Sequence, residues 1–386
     1  MYKQCKYGLW DTTVPGISFD KEGVSNYYYL QKKLEETFVR GESGIETWNT
    51  IIQKLKSKKK KSIYDCIVGV SGGVDSSYLL YLLKIKYNLN PLAVNLDNGW
   101  NSDIAVQNIK SVTSILDIDL ETYVVNYDEI KSLKRAFMRA ALPWIDTPTD
   151  SAIKGVLYKV AAKEKIKYIF TGNDFRSEGK QPREWTYSDH KLFKHVHQKF
   201  GDGVKLKTHP YLKLEKLVKY KFINRITQVR PFYYLPYNKQ EARDLLESSY
   251  GWKDYGGHHH ENLFTKFTMA YWLPKKFGID KRIINLSAQI VSGAITKEKA
   301  TELIKQPFDT EEKLEDLKNY VIKKLNFSKD EFQKMMESEN KFFYDYPNDF
   351  AKLNKRLKII KPILGRLYNQ LPMTVFEIES RQKDDK

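Results

Sequence analysis

The run Asp65-Cys-Ile-Val-Gly-Val-Ser71-Gly72-Gly73-Val74-Asp75-Ser76-Ser77 limits what this chain can fold into more than any other stretch. Cys66 to Val70 is short and mostly apolar, as a strand buried on both faces requires. Gly72 and Gly73 allow a tight turn and bring bare backbone close to whatever approaches it. Asp75 and Ser76 offer N-cap oxygens, and Leu79, Leu80, Leu82 and Leu83 supply the apolar face of a following helix. Strand, glycine turn and helix N-terminus together present free N–H groups and a positive dipole end, the arrangement that suits phosphate. The spacing is neither G-x-x-x-x-G-K-[ST] nor G-x-G-x-x-G.

The flanking sequence places this turn in an α/β fold. Leu92–Leu96, Leu120–Val125 and Tyr168–Phe170 read as further strands, separated by helical patterns such as Ile104, Ile109, Val112, Ile115 and Leu116. Four βα units imply a doubly wound parallel sheet with ligands at the carboxyl ends of its strands. Polar, turn-forming clusters stand at three of those ends: Ser71–Ser77, Asp97-Asn98-Gly99 and Thr171-Gly172-Asn173-Asp174. Their convergence predicts a nucleotide pocket, with Asp97 or nearby backbone meeting adenosine and Asp75 holding Mg²⁺. Asp146 to Ser151 is expected to cap a helix, and Arg176-Ser-Glu178-Gly-Lys180 forms a loop suited to a polar, anionic substrate. We divide the chain into an N-terminal extension (1–55), a core (56–255) with a basic insertion (176–230), and a helical C-terminal region (256–386).

Composition narrows the class. The formal charge of +17 is spread along the chain, and its one dense run, Lys58–Lys61, reads as a solvated linker, so nucleic acid is an unlikely partner. No apolar stretch approaches bilayer-spanning length and the first residues lack a signal peptide's apolar region, which predicts a cytoplasmic protein without membrane contact. Only Cys5 and Cys66 are present, so neither a disulfide framework nor sulfur transfer by paired thiols is expected. Neither an N-terminal nucleophilic Cys nor a G-x-C-x-G elbow is present, so the chain is not expected to release ammonia from glutamine, and any ammonia it used would come from solution or from another subunit. His190, His195, His197 and His209 lack partners at metal-like spacing and read as packing or surface residues.

Ser71-Gly72-Gly73-x-Asp75-Ser76 after a buried strand resembles the PP-loop of the ATP pyrophosphatases, the family of asparagine, GMP and NAD synthetases and of tRNA lysidine synthetases. Further segments resemble the N-acetyl sugar amidotransferases, from about residue 3 to about residue 305. They include Asp11–Val24, Asp97-Asn-Gly-Trp-Asn101, Thr171-Gly-Asn173, the Glu178 loop, Arg230-Pro231, Gly256-Gly257…His259-x-Glu261 and Phe277-Gly-Ile-Asp280-Lys281-Arg282. The resemblance implies an ATP-dependent conversion of an acetamido to an acetamidino group on a nucleotide-activated N-acetyl sugar of a surface polysaccharide or flagellar glycan. Separate glutaminase and cyclase-like subunits would supply the ammonia. It implies ATP binding by Ser71, Gly72, Gly73, Asp75, Ser76, Ser77, Asp97, Asn98, Gly99, Gly172 and Asn173. Asp150, Arg176, Glu178 and Lys180 would bind substrate. His259 or Glu261 would take a proton from ammonia, and Lys281 and Arg282 would hold phosphates or anionic groups of the sugar. The family begins with two Cys-x-x-Cys pairs, whereas positions 5, 8, 25 and 28 here are Cys, Gly, Ser and Tyr, so no zinc is expected. A lysidine-type tRNA ligase and a silent nucleotide-binding scaffold of a synthase complex are the competing readings.

Overall fold

A computed structural model describes residues 2–57, 62–256, 261–356 and 373–381. Its sheet is built from β1 (Cys66–Gly69), β2 (Pro91–Asp97), β3 (Leu120–Val124), β4 (Tyr168–Phe170) and β5 (Thr227–Val229). The order is β3-β2-β1-β4-β5, parallel throughout, with Ile67 opposite both Leu92 and Ile169. This is the doubly wound sheet that the sequence predicts. The order reverses between β1 and β4, which opens a crevice there beyond the carboxyl ends of the strands. β5 was not expected. It lies in the insertion, is only three residues long, and is recruited as an edge strand by pairing with β4.

Both faces of the sheet are covered, as a parallel sheet requires. Helices α1 (Asn26–Thr37) and α2 (Glu42–Lys56) precede it, and α3 (Val74–Tyr81), α4 (Asp103–Ile115), α5 (Tyr127–Arg139) and α6 (Thr147–Lys163) connect its strands. Cys66 and Val68 of β1 share a core with Leu79, Leu83, Ile109 and Val112 of the α3–α4 side, while Ile67 points the other way, towards Val156 and Val160 of α6. Trp48, Ile51 and Ile52 of α2 join the first of these cores, so the segment before β1 packs directly on the sheet.

At the N-terminus, Cys5 Sγ accepts the Ser25 N–H at 3.3 Å and Tyr7 packs on Tyr28 with ring centroids 4.9 Å apart. A Cβ on Gly8 would lie 2.5 Å from the Trp10 ring. Aromatic packing therefore fills this corner. The described residues after 261 are mostly helical, as expected, and Phe264, Trp272, Leu317 and Val321 among them form one core with Leu133 and Phe137 of α5. Among the described residues, no helix is long and apolar enough to cross a membrane.

Candidate active site

The glycine turn works as read, with one correction. Gly73, not Asp75 or Ser76, is the N-cap of α3. Asp75 and Ser76 fall in the first turn, and the Asp75 side chain is thereby aimed into the crevice instead of at its own backbone. Gly72 has φ +83°, and a Cβ there would meet the Ala105 carbonyl oxygen at 2.4 Å, so only glycine fits against α4. The Gly72 carbonyl is itself fixed, accepting from Trp252 Nε1 at 2.8 Å and Asn108 Nδ2 at 3.2 Å. Gly172 at the end of β4 permits a second close approach: a Cβ would sit 2.9 Å from the Asp75 carbonyl carbon.

A cavity of about 560 Å³ opens at the switch point. On its β1 side it is lined by Ser71, Gly73, Asp75 and Ser76, with Gly172 and Asn173 from β4 beside them. Ser76 Oγ accepts the Ser71 N–H at 3.4 Å and donates to the Gly73 carbonyl at 3.2 Å, which holds the turn in shape. Ser71 Oγ donates to Glu261 Oε1 at 3.3 Å, tying the turn to the start of the C-terminal region. Asp75 accepts the Tyr237 hydroxyl, and Lys239 Nζ lies 3.8 Å from its Oδ1. Burial and the neighbouring Asp75 carboxylate hold the Tyr237 phenol well above its usual range, so it stays a donor.

The opposite wall comes from α6 and the C-terminal region. Trp144 connects two charged groups: its Nε1 donates to Asp150 Oδ2 at 2.6 Å, and Lys281 Nζ stands 3.7 Å from its ring centroid. Asp150 lines the cavity beside Trp144. Desolvation there and the nearby Asp146 carboxylate push its carboxyl up to about 6. Burial lowers the Lys281 ammonium to about 8, against the pull of Asp150 and Glu178. These are the ranges in which a proton can be exchanged near neutral pH.

Behind this wall lies a buried polar network. Lys134 Nζ, fully buried, donates to Asp146 Oδ1 at 2.6 Å and Thr149 Oγ1 at 2.9 Å. Thr265 Oγ1 donates to Asp146 Oδ2 at 2.5 Å, Asn98 Nδ2 to Thr149 Oγ1 at 2.9 Å, and Asn262 Nδ2 to Asn98 Oδ1 at 3.2 Å. Asp146 is the N-cap residue of α6, as expected, but its side chain makes no capping bond because its carboxylate is committed to this network.

Of the residues singled out in the sequence, Ser71, Gly73, Asp75, Ser76, Asn98, Gly172, Asn173, Asp150, Glu178, Glu261 and Lys281 share this one cavity. Others do not reach it. Gly72 and Ser77 are buried, while Asp97 accepts the Gly99 N–H at 2.8 Å and neither Asp97 nor Gly99 lines the cavity. Arg176 is buried with its guanidinium on the Phe38 and Tyr233 carbonyls, and Lys180 pairs with Glu377 at 2.7 Å, so neither is placed to bind substrate. Arg282 is held by Asp280 at 2.7 Å and by the Gln306 carbonyl at 2.7 Å, outside the cavity. Its expected phosphate-binding role is withdrawn. His259 lies outside the described residues. Trp144, Lys154, Gln228, Lys239 and Tyr255 line the cavity without having been anticipated. Lys154 had a readable signal, since it lies one helical turn beyond Asp150 on the same face.

The donor set fits the groups an ATP pyrophosphatase needs. Asp75 offers one carboxylate beside the glycine turn on the cavity wall, the usual protein share of a Mg²⁺ that is otherwise held by phosphates. Among the described residues there is no cluster of three His, Cys, Asp or Glu that could hold a metal unaided.

Residues 261–358 match the family model of the C-terminal domain of WbpG-like LPS biosynthesis proteins. A protein of Methanocaldococcus jannaschii described only as uncharacterised is 26% identical over 268 residues, 69% of this chain and 81% of its own. Among solved structures, the U34-tRNA thiolase of Methanococcus maripaludis is 16% identical with a TM-score of 0.32, covering 78% of this chain and 89% of that one. The NH3-dependent NAD synthetase of Campylobacter jejuni is 15% identical with a TM-score of 0.28, covering 74% and 99%. Residues 261–358 are thus WbpG-like, and the sheet order and the glycine turn agree with the resemblance read from the sequence.

Proposed function

We propose that the protein is an ATP-dependent amidotransferase that converts the acetamido group of a nucleotide-activated N-acetyl sugar to acetamidino. One observation carries the reading: the PP-loop and the WbpG-like domain contribute to a single cavity. Ser71, Gly73, Asp75 and Ser76 come from the loop, and Glu261, Asn262, Thr265 and Lys281 come from residues 261–358. The tRNA-ligase alternative is not favoured, because the C-terminal part is WbpG-like.

The triphosphate lies along the turn, where α3's N-terminal N–H groups and the Ser71 and Ser76 hydroxyls stabilise charge. Mg²⁺, held by Asp75 and phosphate oxygens, would neutralise phosphate charge. The acetamido oxygen attacks the α-phosphorus, the α–β bridging bond breaks, and pyrophosphate leaves. Ammonia then adds to the adenylated imidate carbon, gives up a proton, and expels AMP to leave the amidine. Among the carboxylates that line the cavity, Asp150 and Glu261 take the role of receiving that proton in this reading, and Lys281 balances charge opposite the loop. Positioning supplies most of the rate, since ATP provides the driving force. Glutaminase and cyclase-like subunits belong to this reading as the ammonia source in the cell.

The test measures AMP release with Mg²⁺ and ammonium, with and without a nucleotide-activated acetamido sugar, together with the sugar's mass. AMP that requires the sugar, and a product lighter by exchange of oxygen for imino, supports the proposal. AMP release without sugar dependence, or ATP binding with no AMP under any condition, overturns it.

A further inference from the structure

The chemistry above uses the β1 side of the cavity and the Asp150–Lys281 wall, and it leaves a third corner without a role. There β4 and β5 end side by side. Gln228 Nε2 donates to Thr171 Oγ1 at 3.3 Å, and Arg230 follows β5 onto the cavity wall. Lys154 reaches the same cavity from α6. One turn further along α6, Tyr158 stacks on Tyr220, the residue before Lys221, with ring centroids 5.9 Å apart.

Three cations thus gather where burial makes their mutual repulsion felt. Desolvation, then the charges of Lys221 and Arg230, hold the Lys154 ammonium below its usual range, and burial and Arg230 do the same to Lys221. Three other enclosed cations are matched with carboxylates: Lys134 with Asp146, Arg40 with Asp174, and Arg381 with Glu184. Among the described residues, Lys154 and Arg230 form no ion pair with a carboxylate; Arg230 lies 5.5 Å from the Tyr233 ring centroid. A like-charged cluster on a cavity wall costs free energy in the free protein, and an arriving anion removes that cost. The Thr171 hydroxyl and Gln228 amide beside it add neutral hydrogen-bonding groups, and the Arg230 fork suits phosphate oxygens.

We propose that Lys154 and Arg230, backed by Lys221, form a second anion subsite of this cavity, which receives the phosphate or diphosphate of the acceptor while the Ser71–Ser77 turn holds ATP. The identity of the ligand rests on the amidotransferase reading; the existence of the subsite does not.

The test uses the full chain and inorganic pyrophosphate as the probe, by isothermal titration. The protein is first saturated with Mg²⁺ and α,β-methylene ATP, which cannot be cleaved between its α- and β-phosphates. Pyrophosphate is expected to bind the saturated protein at one site. The K154M/R230M variant should weaken that binding at least tenfold while changing analogue affinity less than twofold, and K154R should restore most of the loss at position 154. K154M alone carries the test should the double variant fail to fold. Pyrophosphate shut out by the analogue, or bound equally well by the variants, overturns the proposal. Were the analogue not to bind at all, the nucleotide reading would fall. Pyrophosphate titrated alone would then decide the subsite by the same variants.

Discussion

Replacing Lys134 by Met tests the network on which the cavity wall rests. The Lys134 ammonium is fully buried, 2.6 Å from Asp146 Oδ1 and 3.7 Å from the Phe264 ring centroid. Met has similar length and no charge, so packing is largely kept and the loss is electrostatic. Asp146, only 1% exposed, would retain the Thr265 hydroxyl as the sole bond to its carboxylate and no cation. Breaking a buried pair from one side costs about 3–5 kcal/mol, because a charge is left in a medium that solvates it poorly. Replacing both partners, as K134M/D146N, leaves no charge behind and should cost only about 1–2 kcal/mol. The double variant is therefore expected to be more stable than K134M. Urea unfolding followed by tryptophan fluorescence reads this directly, since Trp100 lies 5.7 Å from the ammonium. Moderate salt should leave the difference unchanged, because a buried pair is poorly screened. K134M within about 1 kcal/mol of the parent, or no recovery in K134M/D146N, would refute the assignment of a coupled buried pair.

Other consequences follow from the same wall. With Asp150 near 6 and Lys281 near 8, AMP formation at limiting sugar should rise with pH through the first and fall through the second, and D150N should remove the acid limb. The raised carboxyl also sets a sign for stability: the folded state binds that proton more tightly than the unfolded one. Asp150 therefore costs stability as pH climbs from about 4 through 6, and D150N should raise the melting temperature at pH 8. A G72A variant, forced to place a methyl 2.4 Å from the Ala105 carbonyl at a φ of +83°, should lose ATP-analogue affinity by at least tenfold in equilibrium binding. K281M and R282M should part company: the first lowers turnover in folded protein, the second mainly lowers the unfolding midpoint, because Arg282 ties Asp280 to the Ile304 and Gln306 carbonyls. Turnover measured on the folded fraction separates the two.

What was legible in the sequence is what local physics decides. The β1 strand, the glycine turn and the leucine-faced α3 follow from neighbouring residues, β2 and β4 follow from apolar runs at strand length, and β3 follows from its β-favouring Thr122, Tyr123 and Val124. The three polar clusters at strand ends were visible too, because turns and ligand sites favour the same residue types. β5 was not legible: Thr227–Val229 has no periodicity of its own and becomes a strand only through β4, far off in sequence. Nor could the chain alone say which charged groups face the cavity. Arg176, Lys180 and Arg282 suited phosphate as well as Lys281 or Lys154 did, yet each found a carbonyl or carboxylate elsewhere in the fold. Lys281 and Arg282 are the sharpest case. Adjacent side chains at a helix start point about 100° apart, so one enters the cavity over Trp144 and its neighbour locks a distant loop. Residue type sets what a group can do, and direction in the assembled fold sets which of them does it.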